Sequence, residues 1–254
     1  MKDDLKNALS AQLVAMGDDE LILGHRDSEW CGHAPILEED IAFANIALDE
    51  IGHASQWYAL LTDLLGEDPE SYPDRLVYRR PAGDFRNTQM VELPKGDWAF
   101  SMLRQFLFDS AELVRLQALS GSRHTALADT AAKIRKEEIY HHRHTQAWVE
   151  RLGKGTEESH RRLQAALEAL WPYVPQLFSP LADEGLLVEA GYLPDSLRLF
   201  AEWQGLVLPF FDENDLSVPP LPEENRSRDQ HTQHMKILVA EMQSVARLDP
   251  QANW

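Results

Sequence analysis

Two segments of this chain place a glutamate and a histidine three residues apart on what is otherwise a mostly apolar stripe: Glu50-Ile51-Gly52-His53 and Glu138-Ile139-Tyr140-His141. On a helix, positions i and i+3 lie one above the other. The stripe through the first pair reads Phe43, Ile46, Glu50, His53, Trp57, Leu60. The stripe through the second reads Ala131, Ile134, Glu138, His141, Thr145, Trp148, Leu152. Both alternate steps of three and four, the spacing of a core-facing seam. Each pair therefore points where water is scarce, and an unpaired carboxylate there is heavily penalised. A metal centre shared between helices is one arrangement that makes two such pairs tolerable.

The segments carrying these stripes are long. Residues 3–30 read as a first helix, with Leu13, Val14, Leu21, Ile22 and Leu23 at apolar positions, broken by Cys31-Gly32-His33-Ala34-Pro35. A second helix runs from Ile36 to Leu65 and ends at Gly66. Between Glu67 and Gly96 the pattern fails, with Pro69, Pro73, Pro81, Gly83, Pro94 and Gly96 scattered through it. That stretch reads as a long connection with short strand pieces around Arg75–Tyr78. Asp97 is a suitable N-cap for a third helix to about Ser120. A fourth spans about Ala126–Leu152 and stops at Gly153. Thr156 caps a fifth, with Glu158 near the capping-box position, running towards Pro172 or Pro175. A helix over Asp195–Leu208, a Pro-rich polar stretch (Val218–Arg228) and a last helix over Gln230–Leu248 complete the chain.

Loop lengths set the expected topology. Short links join helices one to two and three to four, which makes them antiparallel neighbours, whereas roughly thirty residues separate helices two and three. A long crossover at that point returns the chain to the opposite end of a bundle, as in ferritin-like folds. The expected fold class is thus all-α, a ferritin-like four-helix bundle with a long helix 2–3 crossover. One domain covers residues 1–254, with a core bundle over about 3–153 and a C-terminal helical extension over about 154–254.

In such bundles two helices each supply one carboxylate and two supply Glu-x-x-His, all pointing inward. Helices two and four hold the pairs, so helices one and three should each add an acid. The third helix has the stripe Met102, Phe106, Asp109, Leu113, Leu116, which selects Asp109, with Glu112 one turn on as the fallback. The first has Ile22, His25, Glu29, which selects Glu29, with Asp27 and Asp18 as competitors. The candidate metal ligands are Glu29, Glu50, His53, Asp109, Glu138 and His141. Carboxylate oxygens bridge two iron ions and balance their charge, and one imidazole per ion leaves positions open for dioxygen. Glu50 and Glu138 would bridge, His53 and His141 would serve one ion each, and Glu29 and Asp109 would be terminal.

A single Glu-x-x-His is weak evidence in a chain with 10 histidines. A third, Glu157-Glu158-Ser159-His160, opens the fifth helix, where the helix dipole explains the acid. His25 reads as a core histidine or as a partner behind a ligand, and His142 and His144 as solvated or interfacial. The arginines Arg75, Arg79, Arg80 and Arg86 of the crossover read as solvated loop charge, or else as a site for an anion or an acidic partner.

Composition narrows the function classes. With 44% hydrophobic and 26% charged residues, the chain can bury a sizeable core. A net charge of -18 argues against direct nucleic-acid binding. The sequence has no run of about 18 apolar residues of the kind that would span a membrane. The N-terminal MKDDLKNALSAQL is too polar for a secretory signal and too acidic for a transit peptide. Cys31 is the only cysteine, which fits a reducing compartment. The expected location is the cytoplasm.

Several motifs carry a family resemblance: Glu29-Trp30-Cys31-Gly32-His33-Ala34-Pro35, Ala44-Asn45-Ile46-Ala47-Leu48-Asp49, Glu150-Arg151-Leu152-Gly153-Lys154-Gly155-Thr156, Ala240-Glu241-Met242-Gln243 and the terminal Trp254. Together they resemble the C-type subunit of the bacterial ring-1,2-phenylacetyl-CoA epoxidase of phenylacetate degradation. The resemblance covers nearly the whole chain. It implies a ferritin-like fold in a multicomponent monooxygenase. There a homologous A-type subunit holds the diiron site and epoxidises the aromatic ring, together with a reductase and small accessory subunits. The C-type subunit is its non-catalytic companion and has lost parts of the ligand set. Here all six candidate ligands stand at positions matching those of the catalytic subunit. Three expectations result: a scaffold that pairs with and stabilises the catalytic homologue, a diiron oxygenase component in its own right, or a free ferritin-like metal protein. The extra C-terminal helices count against the third.

Overall fold

The computed structural model describes residues 1–223 and 226–249, and among these the chain is all-α, as expected, with no strand. Helix α1 covers Asp3–Ser28 and α2 Leu37–Leu65. The crossover holds α3 (Tyr72–Tyr78) and α4 (Gln89–Glu92). The expected third and fourth helices are α5 (Trp98–Leu119) and α6 (Thr125–Gly153). Then come α7 (Glu157–Leu170), a 3-10 segment over Trp171–Phe178, α8 (Glu184–Glu189), α9 (Ser196–Glu213), α10 (Gln233–Met242) and α11 (Ser244–Leu248). Trp254 and part of the Pro-rich stretch lie outside the described residues. The chain packs as two compact units. One comprises Met1–Cys31, Ile41–Pro94 and the segment from Arg228 onward; the other comprises Gly32–Asp40 and Lys95–Ser227.

The first unit is built around α1, which is buried without a break from Ala15 to Gly24. A helix covered on all sides belongs to a core. It runs antiparallel to α2, since Gly17 meets Tyr58 while Gly24 meets Ala47 and Glu50. A Cβ at Gly17 would lie 2.5 Å from the Tyr58 ring, and one at Gly24 would lie 2.9 Å from the Ala47 carbonyl oxygen. Both glycines are needed for this close approach.

Asp18, Asp19 and Glu20 lie inside this buried stretch. Asp18 accepts hydrogen bonds from Tyr58 Oη (2.5 Å), Arg80 Nη2 (2.5 Å), Arg80 Nη1 (3.0 Å) and the Arg86 amide (2.7 Å). Burial, and then the Asp18 charge, push the Tyr58 hydroxyl well above its ordinary pKa, so it remains a donor. Asp19 accepts from the Thr88 amide (2.6 Å) and Arg228 Nη1 (2.8 Å). These bonds tie the crossover and the C-terminal segment to α1.

The crossover therefore differs from expectation. The strand pieces expected around Arg75–Tyr78 are instead the helix α3. Pro73 lies in its first turn, where a missing N–H is not needed, and Leu76 is buried beneath it. One of its last carbonyls is satisfied from afar, because Gln243 Nε2 donates to the Val77 carbonyl oxygen at 2.9 Å and to that of Arg80, just beyond the helix, at 2.8 Å. Gln243 also divides the expected last helix into α10 and α11. The arginine cluster is dispersed rather than pooled. Arg80 is spent on Asp18, Arg75 pairs with Glu67 at the surface, and the Arg86 guanidinium donates to the Gly83 and Phe85 carbonyls.

The second unit is built around α5, buried without a break from Ser101 to Glu112. It runs antiparallel to α6, with Trp98 against Trp148 and Phe106 against His142. Asp97 caps α5 by accepting from the Phe100 amide, as expected. Thr156 caps α7, but the reciprocal partner is Ser159; Glu158 instead binds Arg161 and Arg162. Helix α9 passes through Pro209 and does not stop at Leu208. Its buried residues Leu199, Trp203, Val207 and Phe211 recur every four positions, and Trp171 packs on both Trp203 and Phe211. Seating Phe211 outweighs the backbone bond that the exposed proline removes.

Arg80→Ala leaves Asp18 as a buried charge with reduced compensation, and it should cost about 3–5 kcal/mol in urea unfolding. The apolar double variant Asp18→Leu/Arg80→Met should cost less than Arg80→Ala alone.

Candidate metal centre

In the first unit, Gly24 lets α2 approach so closely that Glu50 is fixed against α1. Glu50 and His53 are fully buried on the seam that their spacing predicts. The α1 carboxylate that joins them is Glu20, itself 1% exposed. His53 Nδ1 lies 3.8 Å from Glu20 Oε2 and 3.7 Å from Glu50 Oε2. These separations exceed hydrogen-bond length. They suit atoms sharing a cation that binds each at about 2.0–2.2 Å. Each of the three residues offers an atom within 4.8 Å of the others. Two hard oxygen donors and an imidazole are a chemically suitable set for a transition-metal ion, so this buried cluster could hold one.

Glu29 is not brought into this cluster. Helix α1 ends at Ser28, and Glu29 forms its C-cap, half-buried, with its carboxylate 2.5 Å from Arg26 Nη1. The competitor Asp18 is committed to Tyr58 and Arg80. The stripe through His25 and Glu29 misses Glu20, but a second series finds it: Leu13, Gly17, Glu20, Gly24 and Asp27 also step by four and three, and all are buried. The signal was the pair of glycines, which mark where α1 touches α2.

In the second unit, Asp109, Glu138 and His141 are all buried. His141 Nδ1 lies 3.0 Å from Glu138 Oε1, so the pair forms a direct hydrogen bond. Asp109 accepts from Gln105 Nε2 and from Thr145 Oγ1, both at 2.8 Å. Thr145, one turn after His141, thereby fastens Asp109 to α6. The fallback Glu112 is paired with Arg115, whose Nη2 also donates to the Leu177 carbonyl. The two half-sets thus differ in spacing: His53 lies 3.7–3.8 Å from its two carboxylates, whereas His141 is within hydrogen-bond distance of Glu138.

The remaining candidates have structural roles. His160 Nδ1 faces the Gly153 carbonyl at 2.9 Å, and Glu157 is exposed in the first turn of α7. His144 pairs with Glu39 at 3.0 Å, and Trp148 Nε1 donates to the same carboxylate. His25 is half-buried, with Glu241, Glu29 and Arg26 as its charged neighbours. In the Cys31–Pro35 turn, Gly32 takes φ +76° and Asp40 accepts from the Gly32 and Ala34 amides.

Burial lowers the pKa of His25 and His142 below the ordinary 6.5. The folded state therefore binds protons less readily than the unfolded chain. The associated stability is fully present above pH 6.5 and is lost as pH falls through the folded pKa values. The melting temperature should fall between pH 7.5 and 5.5, and His142→Gln should reduce that fall.

The family model described as "Phenylacetic acid catabolic protein" matches residues 1–254. The chain is 36% identical over 250 residues to the C subunit of the 1,2-phenylacetyl-CoA epoxidase of Escherichia coli (strain K12), covering 98% of this chain and 100% of that protein. It is 25% identical over 183 residues to the A subunit of the same epoxidase, covering 72% of this chain and 58% of that protein.

Proposed function

The chain belongs to the phenylacetic acid catabolic protein family, and from that membership we propose that it is a subunit of a multicomponent phenylacetyl-CoA ring epoxidase. Its role is to pair with and stabilise the catalytic A-type subunit in the cytoplasm. The observation that carries this reading is the end-to-end match to the C subunit of that epoxidase, where the match to its A-type homologue is partial and weaker. No described helix is long and apolar enough to cross a membrane, in keeping with such a role.

The same reading assigns iron to the buried acids and imidazoles. Glu20, Glu50 and His53 would hold one ion in the first unit, with Glu20 taking the place first given to Glu29. Asp109, Glu138 and His141 would hold another in the second. Bound iron would supply dioxygen activation; the protein's own part is to position the donors. Gly24 seats Glu50, Gln105 and Thr145 orient the Asp109 carboxylate, and burial excludes water from both sets. The hydrogen bonds already held by Asp109 and by the Glu138–His141 pair favour a companion subunit over an independent oxygenase. The spacing of Glu20, Glu50 and His53 favours the second reading, in which this chain is itself a diiron component.

Tagged protein co-expressed with the A-type subunit should retain it through purification. Epoxidation by that complex should be unchanged in His53→Ala if the chain is a scaffold and abolished if it is the oxygenase. Anaerobic ferrous titration of the isolated chain should reach about two ions, with His53→Ala and His141→Ala each removing one. Iron-free protein whose stability His53→Ala leaves unchanged would restrict the chain to scaffolding.

A further inference from the structure

Within the second unit, a cavity of about 640 Å³ opens between α5, α6 and α9. None of its lining residues belongs to the candidate metal ligands. One wall is aromatic: Phe106 packs against His142 at 5.4 Å and against Phe210 at 4.9 Å. Leu113, Val114, Leu206 and Val207 extend the apolar lining. Two arginines also line the cavity, and they differ in one respect. Arg198 is paired with Glu202 at 3.2 Å. Arg135 has a buried Nε with no hydrogen-bond partner, and no carboxylate pairs with it among the described residues. A desolvated guanidinium donor without an acceptor is costly, and its best complement is a carboxylate. The volume lies within the range of small-molecule sites, which are mostly apolar with a few placed polar groups.

We propose that this cavity binds an apolar organic carboxylate, its aryl or acyl body against Phe106, Phe210 and Val207 and its anion on Arg135. The lining disfavours a polyanion such as a nucleotide, since among the described lining residues Arg135 is the one arginine without a carboxylate partner. Ser110 is not an anchor, because its hydroxyl already bonds Trp203 Nε1 and the Leu107 carbonyl. The site is independent of the metal reading and survives if that reading fails.

The test is calorimetric titration of the full chain with 2-naphthoate and with decanoate, each compared with its neutral amide. One acid per chain should bind, more tightly than its amide, and the tighter of the two acids identifies the body as aryl or acyl. Arg135→Met should weaken the acid by about tenfold or more, the worth of a charged hydrogen bond, and leave the amide unchanged. Leu206→Trp, at an exposed position that tolerates bulk, should block acid and amide alike. Melting curves identify any variant that fails to fold, in which case Arg135→Gln replaces it. No saturation by either acid, or equal affinity for acid and amide, overturns the proposal. If neither acid binds and Leu206→Trp no longer co-purifies with the A-type partner, the cavity is a protein interface instead.

Discussion

Asp18, Asp19 and Glu20 are consecutive acids in the buried middle of α1, and the architecture of the first unit follows from satisfying them. Removing three carboxylates from water is tolerable only if each finds charge or donors. Asp18 takes the buried Tyr58 hydroxyl and Arg80, and Asp19 takes Arg228 and the Thr88 amide. These partners lie some 40 to 209 residues away in sequence. The crossover and the C-terminal segment are consequently parts of the core. Glu20 is placed differently, beside Glu50 and His53 at distances that suit a shared cation better than direct bonding.

The second unit meets a similar constraint by another route. Helix α5 is also buried through its middle and carries two acids, each with a partner on its own helix: Asp109 with Gln105, and with Thr145 of α6 besides, and Glu112 with Arg115. The aromatic residues of α9 and the 3-10 segment then close over it, and their packing is strong enough to carry α9 through Pro209. The exception to this local pairing is Arg135, whose buried Nε faces a cavity without an acceptor.

Much of this was legible in the residues. The seam through Glu50-His53 is buried from Phe43 to Leu60 as its spacing predicts, and that through Glu138-His141 from Ala131 to Thr145, after which Val149 rather than Trp148 takes the buried position. Asp97 and Thr156 cap their helices because a side-chain oxygen at the first turn needs only local chain. Motif resemblance reaches the family without any geometry. Choosing Glu29, with Asp27 and Asp18 as its competitors, rests on one stripe of α1 where a second, through Glu20, is also present. Only contact with Tyr58 and Ala47, through Gly17 and Gly24, distinguishes them.

The sequence by itself determined the long helices, the placement of the two Glu-x-x-His pairs on buried seams, and the family. These depend on periodicity, capping and motif, all within a few turns of chain. Tertiary structure alone decided which buried acid serves which partner. It assigned Asp18 to Arg80 and Asp19 to Arg228, set Glu20 beside Glu50 and His53, and turned the 72–78 segment into a helix closed by Gln243. The reason is that a buried charge is satisfied by whatever donor the fold brings within about 3 Å, and that donor's distance along the chain carries no local signal.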